Sequence, residues 1–333
     1  MNQARGPGEP RRVGFLLIED FPLIALAGAL DALRGANQMA QDRVYDWHVM
    51  SPDGAPVLSS AETAFPVDGR PAEAPPLNDL LVIAGLGAHR FTDRAVLDWL
   101  RRLSRQGCRI GGVSSGTFLL ARAGLLEGKA FVLHWDLLPL FQEEFPALNP
   151  KLEVFSIDGT CLTCAGGTAA LDLMLWLIAA DYGWELSLEV AEQFIYPRIR
   201  EGHRRQRQTP PERYGVNNQT LVKAIGFMER NLADGLSVIQ VAQRCGVSQR
   251  QLERLFKKYM SCTPSQFYGD LRLRRARYLL FYTTVPILEV AATCGFGSHS
   301  YFSKAYRAHY GHTPSEEREA RRLTPESLKQ HDG

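Results

Sequence analysis

From Val13 onward, short apolar or β-rich runs alternate with longer runs whose apolar residues recur every three or four positions. The short runs lie at 13–18, 45–51, 80–85, 109–113, 130–134 and 152–157, and each predicts a strand. Helical periodicity occupies 23–37, 92–104, 115–124 and 136–145, and two further helices are expected at 167–182 and 185–196. Strands and helices in alternation predict an α/β domain over 13–200, a parallel sheet covered on both sides. Residues 1–12 are polar and rich in Gly and Pro, so they read as a tail. The stretch 201–216 is dense in charge and proline without apolar period and reads as a linker, either a solvated run or an arm touching nucleic-acid backbone. Beyond it the pattern is helical through 217–322, followed by a second tail at 323–333.

The helical half repeats itself. VIQVAQRCGVSQRQLERLFKKYMSCTP at 238–264 aligns with ILEVAATCGFGSHSYFSKAYRAHYGHTP at 287–314. Val241, Ala242, Cys245 and Gly246 match Val290, Ala291, Cys294 and Gly295. After one inserted residue, Gly297, the residues Ser248, Leu252, Phe256, Thr263 and Pro264 match Ser298, Phe302, Tyr306, Thr313 and Pro314. Each copy reads as helix, glycine turn, serine cap and second helix: a helix-turn-helix, twice. The helix between them, about 265–282, spans roughly 27 Å at 1.5 Å per residue, near the spacing of successive major grooves.

Charge separates the two halves more sharply than the overall value of +2 reveals. Residues 1–197 carry 15 Lys and Arg against 24 Asp and Glu, roughly −9, and residues 198–333 carry 23 against 12, roughly +11. A basic helical half points to a polyanion, with double-stranded DNA foremost. No run is long and apolar enough for a membrane span. Scattered cysteines and no secretory signal predict a cytoplasmic protein with reduced thiols. Cys161-Leu-Thr-Cys164 reads as strand, with no second pair at ligand spacing, so neither metal nor cofactor is expected.

Ser248-x-Arg250-x-Leu252-x-Arg254-Leu-Phe-Lys257 and Gly295-Phe296-x-Ser298-x-Ser300-Tyr301-Phe302-x-Lys304-x-Tyr306 resemble the DNA-binding domain of AraC/XylS transcription regulators. The resemblance implies that the exposed start of each second helix reads bases: Ser248, Gln249, Arg250, Glu253 and Arg254 in the first, and Ser298, His299, Ser300, Ser303 and Lys304 in the second. An arginine can take guanine O6 and N7 together, and Lys257, Lys258 and Arg307 one turn on suit phosphates. The same resemblance implies a promoter activator with RNA polymerase as a partner.

The first half holds Gly111-Gly112-Val113-Ser114-Ser115-Gly116, a fit to the strand-to-helix elbow that presents a nucleophile. With His134-Trp135 and Ala165-Gly166-Gly167-Thr168-Ala169-Ala170-Leu171-Asp172, it resembles the flavodoxin-like, doubly wound fold of class I glutamine amidotransferases and Pfp proteases, and most nearly the sensor half of GlxA-type regulators. The chain departs from the enzymes: Ser114 stands in place of their cysteine, Ser115 in place of a histidine and Pro22 in place of a glutamate. Serine without an adjacent base is a poor nucleophile. The expectation is therefore a sensor, with a hydrolase using Ser114 as the competing reading. The carboxyl ends of the strands place Asp20, Phe21, Gly85, Ser114, Ser115, His134 and Trp135 around the expected ligand. The resemblance implies an amino acid or quaternary-amine acid as effector, and a homodimer.

Overall fold

The computed structural model describes residues 9–207, 210–282 and 285–323. The chain divides into two units, Met1–Arg207 and Gln208–Gly333. In the first, β1 (Arg11–Leu17), α1 (Leu23–Ala40), β2 (Tyr45–Met50), the short strands β3 (Val57–Leu58) and β4 (Ala64–Phe65), β5 (Asp79–Ala84) and α2 (Arg94–Arg105) lead to β6 (Arg109–Ser114) and α3 (Gly116–Arg122). After α4 (Leu138–Glu144), a hairpin of β7 (Phe155–Asp158) and β8 (Cys161–Cys164) precedes α5 (Ala169–Tyr182) and α6 (Trp184–Gln193).

The six-stranded sheet runs β2-β1-β5-β6-β8-β7, with only the β7–β8 pairing antiparallel. Because both faces are covered, every residue of β5 is buried. Val13, Phe15, Leu17, Leu81, Ile83, Val113 and Leu162 share one core with α1, α5 and α6. The opposite alternation, Leu16, Leu80, Val82 and Ile110, is buried as well.

Three expectations shift. The run 130–134 makes a single bridge, Val132 to Lys151, rather than a ladder, because β8 has taken the place beside β6. Side chains hold it instead: Val132 donates its N–H to Thr163 Oγ1 at 2.8 Å, and Thr117 Oγ1 donates to the Val132 carbonyl at 3.1 Å. Strand β1 starts inside the expected tail, since Arg11 ion-pairs with the buried Asp79 at 2.6 Å. Burial alone would raise the Asp79 carboxyl, but Arg109 and Arg11 outweigh it and hold the group below its ordinary range. Finally, residues 202–206, expected as linker, pack onto the first unit: Val154 N–H reaches the carbonyls of Gly202 and Arg204 at 3.0 and 2.9 Å.

The second unit is helical among the described residues: α7 (Pro210–Tyr214), α8 (Gln219–Arg230), α9 (Val238–Arg244), α10 (Gln249–Met260), α11 (Pro264–Tyr282), α12 (Ile287–Thr293), α13 (His299–Tyr310) and α14 (Pro314–Leu323). It has two cores joined by α11. Phe267, Tyr268 and Leu271 of that helix pack with Leu252 and Phe256; Leu273, Ala276, Leu279 and Leu280 pack with Phe302 and Tyr306.

Candidate nucleic-acid interface and ligand site

In both repeats the turn is made by a glycine in the left-handed region, Gly246 at φ +73° and Gly295 at φ +74°. The second helix then starts at a serine that accepts a backbone N–H three residues on, Ser248 from Gln251 and Ser298 from Tyr301, each at 3.2 Å. Gln251 completes a capping box by accepting the Ser248 N–H at 2.9 Å. Tyr301 has no such acceptor, so α13 is capped once and α10 twice. Leu252 and Phe256 anchor α10 in its core, and Phe302 and Tyr306 anchor α13; all four are fully buried. That fixes which faces remain for a partner. Gln249, Arg250, Glu253, Arg254, Lys257 and Lys258 are exposed on α10, and His299, Ser300, Lys304 and Arg307 on α13, while Ser303 is half-buried. Arg250, Glu253, Arg254, Lys257 and Lys258 together line one open concavity. Gln249 donates to Glu253 at 2.8 Å, which holds this carboxylate on the exposed face of α10.

The elbow of the first unit keeps its shape. Ser114 sits at φ +58°, a conformation that non-glycine residues rarely adopt. A Cβ on Gly116 would strike the Val82 carbonyl, and one on Gly166 would lie 2.7 Å from Ser114 Cβ, so the glycines let backbone close around the serine. Ser115 is buried and donates to the carbonyls of Ala84, at 2.8 Å, and Gly85. Gly85 packs directly on the Asp20 carbonyl. Asp20 itself is exposed, in the left-handed region at φ +63°. His134 accepts the Asp136 N–H on Nδ1 at 3.3 Å, and burial pushes its pKa down, which favours the neutral ring. Among the described residues no His, Asp or Glu is hydrogen-bonded to Ser114, and none has the three or more His, Cys, Asp or Glu grouped to hold a metal ion.

Comparison with known proteins agrees with both units. Residues 230–320 match the model of a helix-turn-helix domain, and residues 11–180 match the DJ-1/PfpI family. The chain is 44% identical over 304 residues to the HTH-type transcriptional regulator CdhR of Pseudomonas aeruginosa, covering 91% of this chain and 90% of that one. It is 36% identical over 305 residues to the HTH-type transcriptional regulator GlxA of Rhizobium meliloti, covering 91% and 94%. This chain belongs to the AraC-type transcriptional regulators that carry a DJ-1/PfpI domain. The crystal structure of an AraC family transcriptional regulator from Pseudomonas putida has the fold of part of it, at a TM-score of 0.51 and 29% identity, covering 56% of this chain and 100% of that one.

For an AraC-type regulator, with the DNA binding that this implies, the expected reading residues fall on two exposed helix starts. The DJ-1/PfpI pocket residues divide. Asp20, Gly85 and Ser115 come together at the ends of β1, β5 and β6, and Ser114 pairs with Ala84 in the β5–β6 register. Two of the expected lining residues are otherwise engaged. Phe21 is wholly buried and meets Phe65 edge-on at 6.2 Å, because the chain turns its ring into the core; the Ser115 hydroxyl is spent on carbonyls. His134 and Trp135 follow the segment pinned by Thr163 and Thr117. Also exposed are Tyr301, 64% at the start of α13, and Ile239 and Leu288, 53% and 67%, which stand at equivalent positions 49 residues apart. Among the described residues no helix is long and apolar enough to cross a membrane.

Proposed function

We propose that this regulator is a cytoplasmic, ligand-responsive activator that works without catalysis. Its second unit reads promoter DNA with Ser248, Gln249, Arg250, Glu253 and Arg254 on one helix and Ser298, His299, Ser300, Ser303 and Lys304 on the other, while Lys257, Lys258 and Arg307 neutralise phosphates. The first unit takes a small nitrogenous metabolite, an amino acid or quaternary-amine acid, near Asp20, Gly85, Ser114, His134 and Trp135. The working form is a homodimer that engages RNA polymerase.

One observation carries this reading: two copies of the same capped helix, each with its apolar side sunk in a core and its polar start left bare. A sensing role for the elbow is supported by the chemistry around Ser114, to which no His, Asp or Glu is hydrogen-bonded among the described residues. The test is twofold. Binding to a selected duplex, followed by gel shift, should weaken about 10- to 100-fold for Arg250→Ala and for Lys304→Ala. A metabolite bound by the native fold should raise the melting temperature of the full chain. Ser114→Ala should alter that response and leave no hydrolytic activity to lose; turnover of an ester or amide that this variant abolishes would contradict the proposal.

A further inference from the structure

The last stretch of the first unit does not simply leave it. Gln206 accepts the Trp135 N–H on Oε1 at 2.8 Å and donates from Nε2 to the carbonyls of Leu133 and Glu153 at 2.7 and 2.8 Å. The next residue, Arg207, lays its guanidinium carbon 4.2 Å from the centroid of the Trp135 ring. Arg207 is also where the first unit ends and the chain passes on to the DNA-binding unit. An indole face attracts weakly hydrated cations, and a guanidinium and a quaternary ammonium compete for it on similar terms. The His134 ring stands 5.6 Å from that of Trp135, tilted by 33°.

We infer that the Trp135 face is a binding site for a small organic cation, and that Arg207 fills it in cis as a latch on the connector between the two units. This rests on the sensing role proposed above and adds its ligand chemistry and its output. A cationic effector that takes the ring displaces Arg207 from it, while the Gln206 side chain and the Val154 and Phe155 backbone bonds continue to hold 202–206 on the first unit. Binding is thereby coupled to loosening of the connector at Arg207, and the latch lowers the apparent affinity by the fraction of molecules in which the ring is covered.

The test uses the full chain and two readouts. Digestion with proteinase K, mapped by mass spectrometry, reports cleavage between residues 200 and 216. Arg207→Ala should raise that cleavage about three- to tenfold without ligand, with Arg207→Lys between it and the wild type. Tetramethylammonium chloride, titrated by calorimetry against sodium chloride at equal ionic strength, should bind Arg207→Ala about three- to tenfold more tightly than wild type. It should not bind Trp135→Ala. The same salt should speed cleavage of the wild-type connector and leave Trp135→Ala unchanged. Cooperative melting of each variant confirms that it is folded, and Arg207→Gln and Trp135→Phe replace any that is not. Unchanged cleavage in Arg207→Ala overturns the latch. Faster cleavage without tighter tetramethylammonium binding overturns the cation site, and with it the ligand reading at Trp135, while leaving the latch in place.

Discussion

The two helix-turn-helix repeats share a frame but are closed differently beneath their second helices. Under α10 the closure is aromatic: Phe256 meets Phe267 at 5.4 Å, and Phe267 meets Tyr214 at 5.6 Å. Under α13 the matching positions are polar. Tyr306 donates to Glu317 at 2.9 Å, His312 bonds the same carboxylate, and Arg277 approaches it at 3.3 Å. The turns differ too. Gly246 faces open space, whereas a Cβ on Gly295 would run into the Leu232 carbonyl and lie 3.2 Å from the Gly235 nitrogen. The loop that enters the first repeat therefore packs on the turn of the second, and the two repeats are fixed to each other through Gly295 as well as through α11. The first repeat is an apolar unit with a strongly cationic face; the second is held by a buried carboxylate and leaves His299, Ser300 and Lys304 exposed, a less cationic set.

The turns offer the largest break in that comparison. Gly295→Ala combines left-handed strain with a backbone clash and should cost about 3–5 kcal/mol in urea unfolding of the full chain. Gly246→Ala carries the strain alone and should cost about 1–2 kcal/mol. Equal costs would mean that Gly295 does not join the repeats.

Next comes the carboxylate. Burial alone would raise the Glu317 carboxyl, but the bonds from His312 and Tyr306 and the Arg277 charge outweigh it and hold it below its ordinary value of 4.5. A depressed carboxyl contributes stability that is complete above its unfolded value and lost as pH falls through the folded one. Glu317→Gln should therefore cost about 2 kcal/mol at pH 7 and flatten the acid limb of the stability profile below pH 4.5. A variant that loses stability in parallel with the wild type down to pH 3 would contradict the role given to this carboxylate.

The caps should give the smallest effect. Ser248→Ala removes a reciprocal pair and should cost about 1 kcal/mol, and Ser298→Ala, with a single bond to lose, somewhat less. Thermal unfolding of both variants checks the order. Salt sharpens the reading faces in turn: affinity for DNA should fall about 10³-fold between 50 and 200 mM salt if about six phosphates are neutralised.

Much of this was legible in the amino-acid order because local rules carry it. The duplicated Gly and Ser at turn and cap placed α10 and α13, and uninterrupted apolar runs placed β1, β5 and β6. What escaped depends on contacts distant in sequence. The run 130–134 is apolar enough for a strand, yet β8 from thirty residues later occupies its place. Phe21 lies beside the exposed Asp20, and its ring turns inward to a core it shares with residues distant in sequence, Phe65 among them. The polar 202–207 stretch reads as linker because nothing local announces that Leu133, Glu153 and Trp135 will meet Gln206 and Arg207.

The central claim is that two dissimilar readers grip one face of a duplex together. Selection of binding sites from random duplexes, followed by footprinting of the wild type, Arg250→Ala and Lys304→Ala, addresses it directly. Two protected segments centred about one helical turn apart, each lost or loosened in only one of the variants, are what the account predicts. A single protected segment insensitive to either substitution would contradict it.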